Sequence, residues 1–174
     1  MDATVGYDAS VESTDVTLTD NYLAGKLRII GAWQSISMTG NSFLNGIRTE
    51  LDVSSYTDNE VTEAPPTTGI KIFTHQNAYD PSRARVTIYN WAEEDSVDVD
   101  LGDILKPGER YEIRSVFDLY GPAILEGSFD GELVSIPMGS VPATPVNGYP
   151  EGIEGDDDPG KQFGVFLIKH LGCQ

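Results

Sequence analysis

Proton chemistry in this chain would have to start from two histidines, His75 in FTHQNAYD and His170 at the end of FGVFLIKHL. An imidazole beside a carboxylate can move a proton near neutral pH. His75 opens a loop and is a candidate base, but no partner is identifiable for it. His170 closes an apolar strand and reads as a core or rim histidine. No GxSxG, HExxH, phosphate loop or CxxC occurs, so hydrolase, zinc and nucleotide chemistries have no support. The 28 acidic residues make close carboxylate pairs expected by chance, so the glycosidase separation of about 5 to 9.5 Å singles none out. A uronate lyase would want cations around its enolate-like intermediate, and the eleven Lys and Arg are scattered along the sequence. No catalytic or cofactor-binding residue is nominated, and the chain reads as a non-enzyme.

Two other residue groups could bind. Asp156, Asp157 and Asp158 follow Glu154 in EGIEGDDDPGK, and calcium favours several oxygens on a glycine-bearing loop. The spacing lacks the alternation of an EF-hand loop, so a solvated acidic loop is the simpler reading and no metal residue is nominated. Sugars are often held on ring faces. Trp33 in GAWQS and Tyr149 are candidate platforms, and Tyr120 also sits beside a turn. Trp91, ending RVTIYNW, is expected in the core with its indole N–H bonded at a sheet edge.

The elements that must position these residues are strands. Glycine (18) and proline (10) are plentiful, and Val and Ile dominate the apolar set, which favours short strands and many turns. A length of 174 residues suits one domain, or one with an appendage. The net charge of −17 repels nucleic acid and anionic membranes, whose binding demands Lys/Arg clusters. It also argues against polyuronates unless a cation bridges. No run of eighteen apolar residues is present, so no helical membrane span is expected. The N-terminus lacks the basic and apolar regions of a signal peptide. Cys173, the single cysteine, can form no internal disulfide.

VTLTDNYL (16–23) and ISMTGNSF (36–43) repeat with a period of 20: Val16 and Leu18 match Ile36 and Met38, and Asn21 matches Asn41. A repeat of this length fits coils of a parallel β-helix, with apolar residues stacked inside and an asparagine ladder at a corner. Leu27 and Ile29 supply a further strand of the coil. The alternative is two antiparallel strands alike by chance. Two coils are marginal alone, so the N-terminal face is expected to be open to upstream coils or to a second copy, a homo-oligomer through residues 1–53. Residues 54–69, polar and proline-bearing, read as a linker.

From residue 70 the alternation becomes antiparallel. Val97, Val99 and Leu101 oppose Asp98 and Asp100; Tyr111, Ile113 and Phe117 oppose Glu112, Arg114 and Val116; and Val134, Ile136 and Met138 share a side. RVTIYNW and FGVFLIKHL are apolar on both faces and are expected as central strands. Pro107-Gly108 reads as a type II turn, and Asp130-Gly131 as a type I′ hairpin. Six or seven such strands suggest a β-sandwich.

Tyr89-Asn90-Trp91, Lys106-Pro107-Gly108, Asp118 with Gly121, Gly127 with Asp130-Gly131, and Phe163-Gly164-Val165-Phe166 add a resemblance. With the asparagine-bearing coils, they resemble the C-terminal region of secreted bacterial right-handed parallel β-helix repeat proteins. The resemblance spans most of residues 16–170, except for the insertion Val141 to Lys161. It implies last coils plus a terminal β-sandwich, and an extracellular or cell-envelope setting. It transfers no active residue, because active sites in that class lie on coils upstream.

The expectation is therefore all-β: short parallel β-helix-like coils (1–53), a linker (54–69), and an antiparallel β-sandwich (70–174) carrying an acidic loop at 141–161. The expected role is a non-catalytic structural or accessory module capping a β-helix of polysaccharide-related function, with no cofactor. Rival readings are a carbohydrate-binding module for neutral polysaccharide, with Trp33 as platform, and a fragment of a polysaccharide-degrading enzyme.

Overall fold

The computed structural model describes residues 2–7, 12–49, 54–139 and 160–172. Within them the regular structure is all strand, apart from one short 3₁₀ turn. The chain divides into two compact units, Met1–Pro66 and Thr67–Gln174. Asp156–Asp158, Tyr149, Cys173 and nearly all of the acidic loop 141–161 lie outside the described residues.

In the first unit every strand pairing is parallel. The strands are β1 (Ala3–Val5), β2 (Glu12–Thr19), β3 (Tyr22–Leu23), β4 (Leu27–Ile29), β5 (Ala32–Thr39), β6 (Ser42–Phe43), β7 (Ile47–Arg48) and β8 (Glu60–Val61). They form three sheets, ordered β1-β4-β7, β2-β5 and β3-β6-β8. The sequence period reappears as register: Val16 pairs with Ile36, Leu18 with Met38, Tyr22 with Ser42, and Leu27 with Ile47. Val16 on Ile36, Leu18 on Met38 and Leu27 on Ile47 stack apolar on apolar, so a one-residue slip would turn these side chains outward. Leu27, Ile29, Met38 and Phe43 form the buried core, flanked by Val5, Leu18, Leu23 and Ile36. Burying the Phe43 ring completely contributes about 1.5–3 kcal/mol.

One corner of this unit carries three linked asparagines, the middle one buried. Asn21 Nδ2 donates to Asn41 Oδ1 at 2.8 Å, and Asn41 Nδ2 donates to Asn59 Oδ1 at 2.7 Å. Asn41 Nδ2 also reaches the Leu18 carbonyl at 2.8 Å, so this amide, 2% exposed, is fully engaged. The corner turns through the left-handed region at equivalent positions, Asp20 (φ 53°) and Gly40 (φ 67°). Gly40 has a second reason to be glycine: a Cβ there would lie 2.2 Å from Asp20 Oδ1.

Residues 54–69 were expected as a linker, and their first part is structured within this unit. Tyr56 Oη donates to the Ile36 carbonyl at 2.9 Å, Asn59 supplies the third ladder amide, and β8 pairs with β6. The unit boundary falls after Pro66.

The second unit is antiparallel throughout: β9 (Ile70–Gln76), β10 (Arg83–Asn90), β11 (Ser96–Val99), β12 (Arg110–Ser115), β13 (Leu125–Ser128), β14 (Val134–Pro137) and β15 (Phe163–Gly172). One sheet runs β13-β12-β15-β10-β9, and β11 pairs with β14 in a second. Both contribute to one core, with Val86, Ile88, Ile113, Phe166 and Ile168 from the first and Val97, Val99, Val134 and Ile136 from the second. Leu101 and Met138 continue the alternation expected for their strands.

β10 and β15 are internal strands, as expected, but β10 is not apolar on both faces. Ala84, Val86, Ile88 and Asn90 are buried, while Arg83, Arg85, Thr87 and Tyr89 point the other way. Phe117 does not continue the face of Tyr111 and Ile113, because β12 ends at Ser115 and residues 116–118 form the 3₁₀ turn, capped by Ser115 Oγ. Pro107-Gly108 turns as expected, with Gly108 at φ 91° and Glu109 N bonded to the Lys106 carbonyl. Asp130-Gly131 is not a hairpin. It leads from β13, which pairs with β12, to β14, which pairs with β11 in the other sheet. Phe129, 3% exposed, is drawn into the core immediately before the turn, and its N–H bonds to the Glu109 carbonyl. The Asp130 side chain then accepts from Glu132 N, which makes a local Asx turn.

Candidate functional site

The face of the five-stranded sheet turned away from the core carries an unusual set of side chains. The strand registers place them in rows. Lys71 lies opposite Tyr89, and Tyr89 opposite Phe163. His75 lies opposite Arg85, Arg85 opposite Leu167, and Leu167 opposite Arg114. Arg83 lies opposite Lys169, Lys169 opposite Glu112, and Glu112 opposite Glu126. The Lys and Arg that look scattered in sequence are thus gathered: with Arg110 opposite Ser128, six of the chain's eleven share this face with two carboxylates.

One end of the face is aromatic. Tyr89 meets Phe163 at 5.0 Å, Trp91 at 5.8 Å in a stacked pair, and Phe73 edge-on at 6.3 Å. The Lys71 ammonium lies 5.4 Å from the Phe73 ring centre. Trp91, expected in the core, belongs instead to this half-buried cluster.

The other end holds the charge. Glu112, 8% exposed, takes Arg114 Nε at 3.1 Å and Lys169 Nζ at 3.4 Å. The Arg114 hydrogen bond, with help from Lys169, holds the Glu112 carboxyl below the usual glutamate range. Arg114 also donates to the Gly121 carbonyl. Arg83 pairs with Asp80 at 3.0 Å.

Beside Arg83 the β9–β10 connection is tightly tied. Asn77 Oδ1 accepts from Tyr79 N (2.9 Å) and Asp80 N (3.0 Å), while Asp80 Oδ1 accepts from Ser82 N (3.0 Å). This loop walls a groove of about 340 Å³ whose lining includes His75, Gln76, Asn77, Arg85, Val116 and Leu167. Tyr79 stands at the loop tip, 99% exposed.

The residues singled out in sequence are mostly elsewhere. Trp33 is half-buried and packs against the first unit's core, with its Nε1 donating to the Ile30 carbonyl at 3.1 Å. Tyr120 is exposed on its turn. His170 Nε2 lies 3.6 Å from Glu109 Oε1 and is shielded from solvent, a rim position. His75 is exposed at the groove. Among the described residues no group of three or more His, Cys, Asp or Glu is placed to hold a metal ion. No helix among them is long and apolar enough to cross a membrane. The sequence reading missed Arg85 and Asn77; the alternation Arg83–Arg85–Thr87–Tyr89 along β10 was the available signal. No family model, curated protein or solved structure matches the chain.

Proposed function

We propose that residues 2–62 are coils of a right-handed parallel β-helix and that residues 67–174 form an accessory β-sandwich. On this reading the chain is a non-catalytic structural module that ends such a helix, in an extracellular or envelope setting with a polysaccharide-related role. The observation that carries it is the 20-residue register shared by three strand pairs, Val16 on Ile36, Tyr22 on Ser42 and Leu27 on Ile47, with the asparagine ladder at one corner. The stack is also asymmetric. Met38, Phe43 and Asn41 are buried, whereas their first-coil counterparts Leu18 and Leu23 are half-buried and Asn21 is exposed. The first coil therefore presents apolar surface and strand edge that another coil of the same repeat would cover.

The test is a tandem duplication of residues 12–31, which inserts one whole period. A β-helix accepts it: the first unit melts at a higher temperature, and amides of the second copy of β2 gain the hydrogen-exchange protection of β5. Misfolding, or a lower melting temperature, overturns the reading. The non-catalytic role further requires that no oligosaccharide be released from a broad polysaccharide panel.

A further inference from the structure

We propose that the groove walled by the β9–β10 loop is a binding site for an acid sugar, a ring-sized carboxylate bearing hydroxyls. The groove lies wholly within the second unit, so this site is independent of the coil reading. Arg85 is the residue that carries it. Arg83 has Asp80, and Arg114 and Lys169 share Glu112. Arg85, between them on the same face, makes no ion pair among the described residues. Its cross-strand neighbour is His75, another group that can carry positive charge. An anion is the ligand class that this pairing selects, and a guanidinium binds a carboxylate through two parallel N–H donors.

The rest of the groove distinguishes a sugar acid from a bare anion. Asn77 Oδ1 is held by two backbone N–H groups, which fixes the amide plane and leaves its Nδ2 hydrogens as oriented donors at the groove wall. Gln76 and the His75 ring add exchangeable donor and acceptor positions for hydroxyls. Leu167 and Val116, the latter 43% exposed, offer apolar surface to the face of a ring. A volume of about 340 Å³ accommodates one sugar ring with its substituents. The net charge of −17 disfavours a long polyanion while weighing much less on a single carboxylate, so the natural ligand is a terminal or isolated acid unit.

The experiment is a titration of the full chain with glucuronate, followed through backbone amide resonances, with glucose, acetate and inorganic phosphate as comparison probes. Expected are saturable shifts confined to residues 75–85 and 166–168, with a dissociation constant on the order of 1 mM. Acetate shifts the same amides more weakly and glucose leaves them unmoved. Arg85→Gln abolishes the shifts while retaining the wild-type spectrum elsewhere, and Asn77→Asp, which replaces the oriented donors by a carboxylate, weakens glucuronate at least tenfold. The proposal is overturned if glucuronate shifts amides all over the surface, if phosphate or acetate matches it, or if Arg85→Gln binds as the wild type does. Failure here leaves the duplication result untouched, so the two readings fall separately.

Discussion

Glu112 is the residue on which the charged end of the sheet face turns. It is nearly buried and is shared between Arg114 and Lys169. Replacing it by Gln removes the shared charge, but Arg114 keeps the Gly121 carbonyl and Lys169 keeps solvent, so the expected loss of stability is about 1 kcal/mol at neutral pH. The sign with pH follows from the direction of its shift. A carboxyl held below its unfolded value stabilises the fold above the ordinary glutamate range, and that contribution disappears as pH falls through the folded-state value. Wild type and Glu112→Gln should therefore differ in urea midpoint at pH 7 and converge in acid; a gap that is constant with pH would disprove the role. Such a residue was not legible from sequence, where Glu112 alternates with Tyr111 and Ile113 and reads as an ordinary solvent-facing acid. Only the pairing of β12 with β15 brings Lys169 to it.

At the scale of elements, the asparagine corner is the sharpest object to test. Asn41→Leu keeps the volume but removes the Oδ1 that accepts from Asn21 N and Nδ2 and the Nδ2 that reaches Asn59 Oδ1 and the Leu18 carbonyl, while Asn59 Oδ1 keeps the residue-41 N–H; the expected cost is about 1–3 kcal/mol. Thermal melting should show the first unit destabilised and the second unchanged; equal loss in both would mean that the ladder is not local to its unit. The first two asparagines were legible because their spacing equals the repeat. Asn59 was not, since it follows Asn41 by 18 residues rather than 20 and serves a two-residue strand inside a polar, proline-rich stretch. The Asp130-Gly131 turn failed for a different reason. A dipeptide specifies a local bend, but whether the flanking strands pair with each other depends on where Phe129 is buried. The antiparallel alternations at residues 97–101 and 134–138 were legible, because one wet face and one dry face write a period of two directly into the chain.

For the whole molecule, charge and division into two units make the predictions. A net charge of −17 on 174 residues means that like-charge repulsion opposes compactness, and salt shortens its range to about 10 Å at 0.1 M. Raising sodium chloride from about 20 to 300 mM, a range that takes the screening length from well above to below that distance, should raise the melting temperature; a fall would show that attractive pairs dominate. Calorimetry should resolve two transitions, since each unit has its own core. The sheet-face groove was hidden at this scale too, for no local pattern announces that His75 and Arg85 stand side by side across two strands.

The asparagine ladder also has a direction. Each side-chain amide donates to the next one along the chain, from Asn21 to Asn41 to Asn59, and Asn59 Nδ2 ends the series on the Met38 and Tyr56 carbonyls. Among the described residues nothing donates to Asn21 Oδ1. The series is therefore a vector with a closed head and a receptive tail, like a polar filament that grows from one end only. Both Asn21 Nδ2 hydrogens are already spent, on the Thr19 carbonyl and on Asn41 Oδ1, so a group beyond Asn21 can extend the series only by donating to its Oδ1.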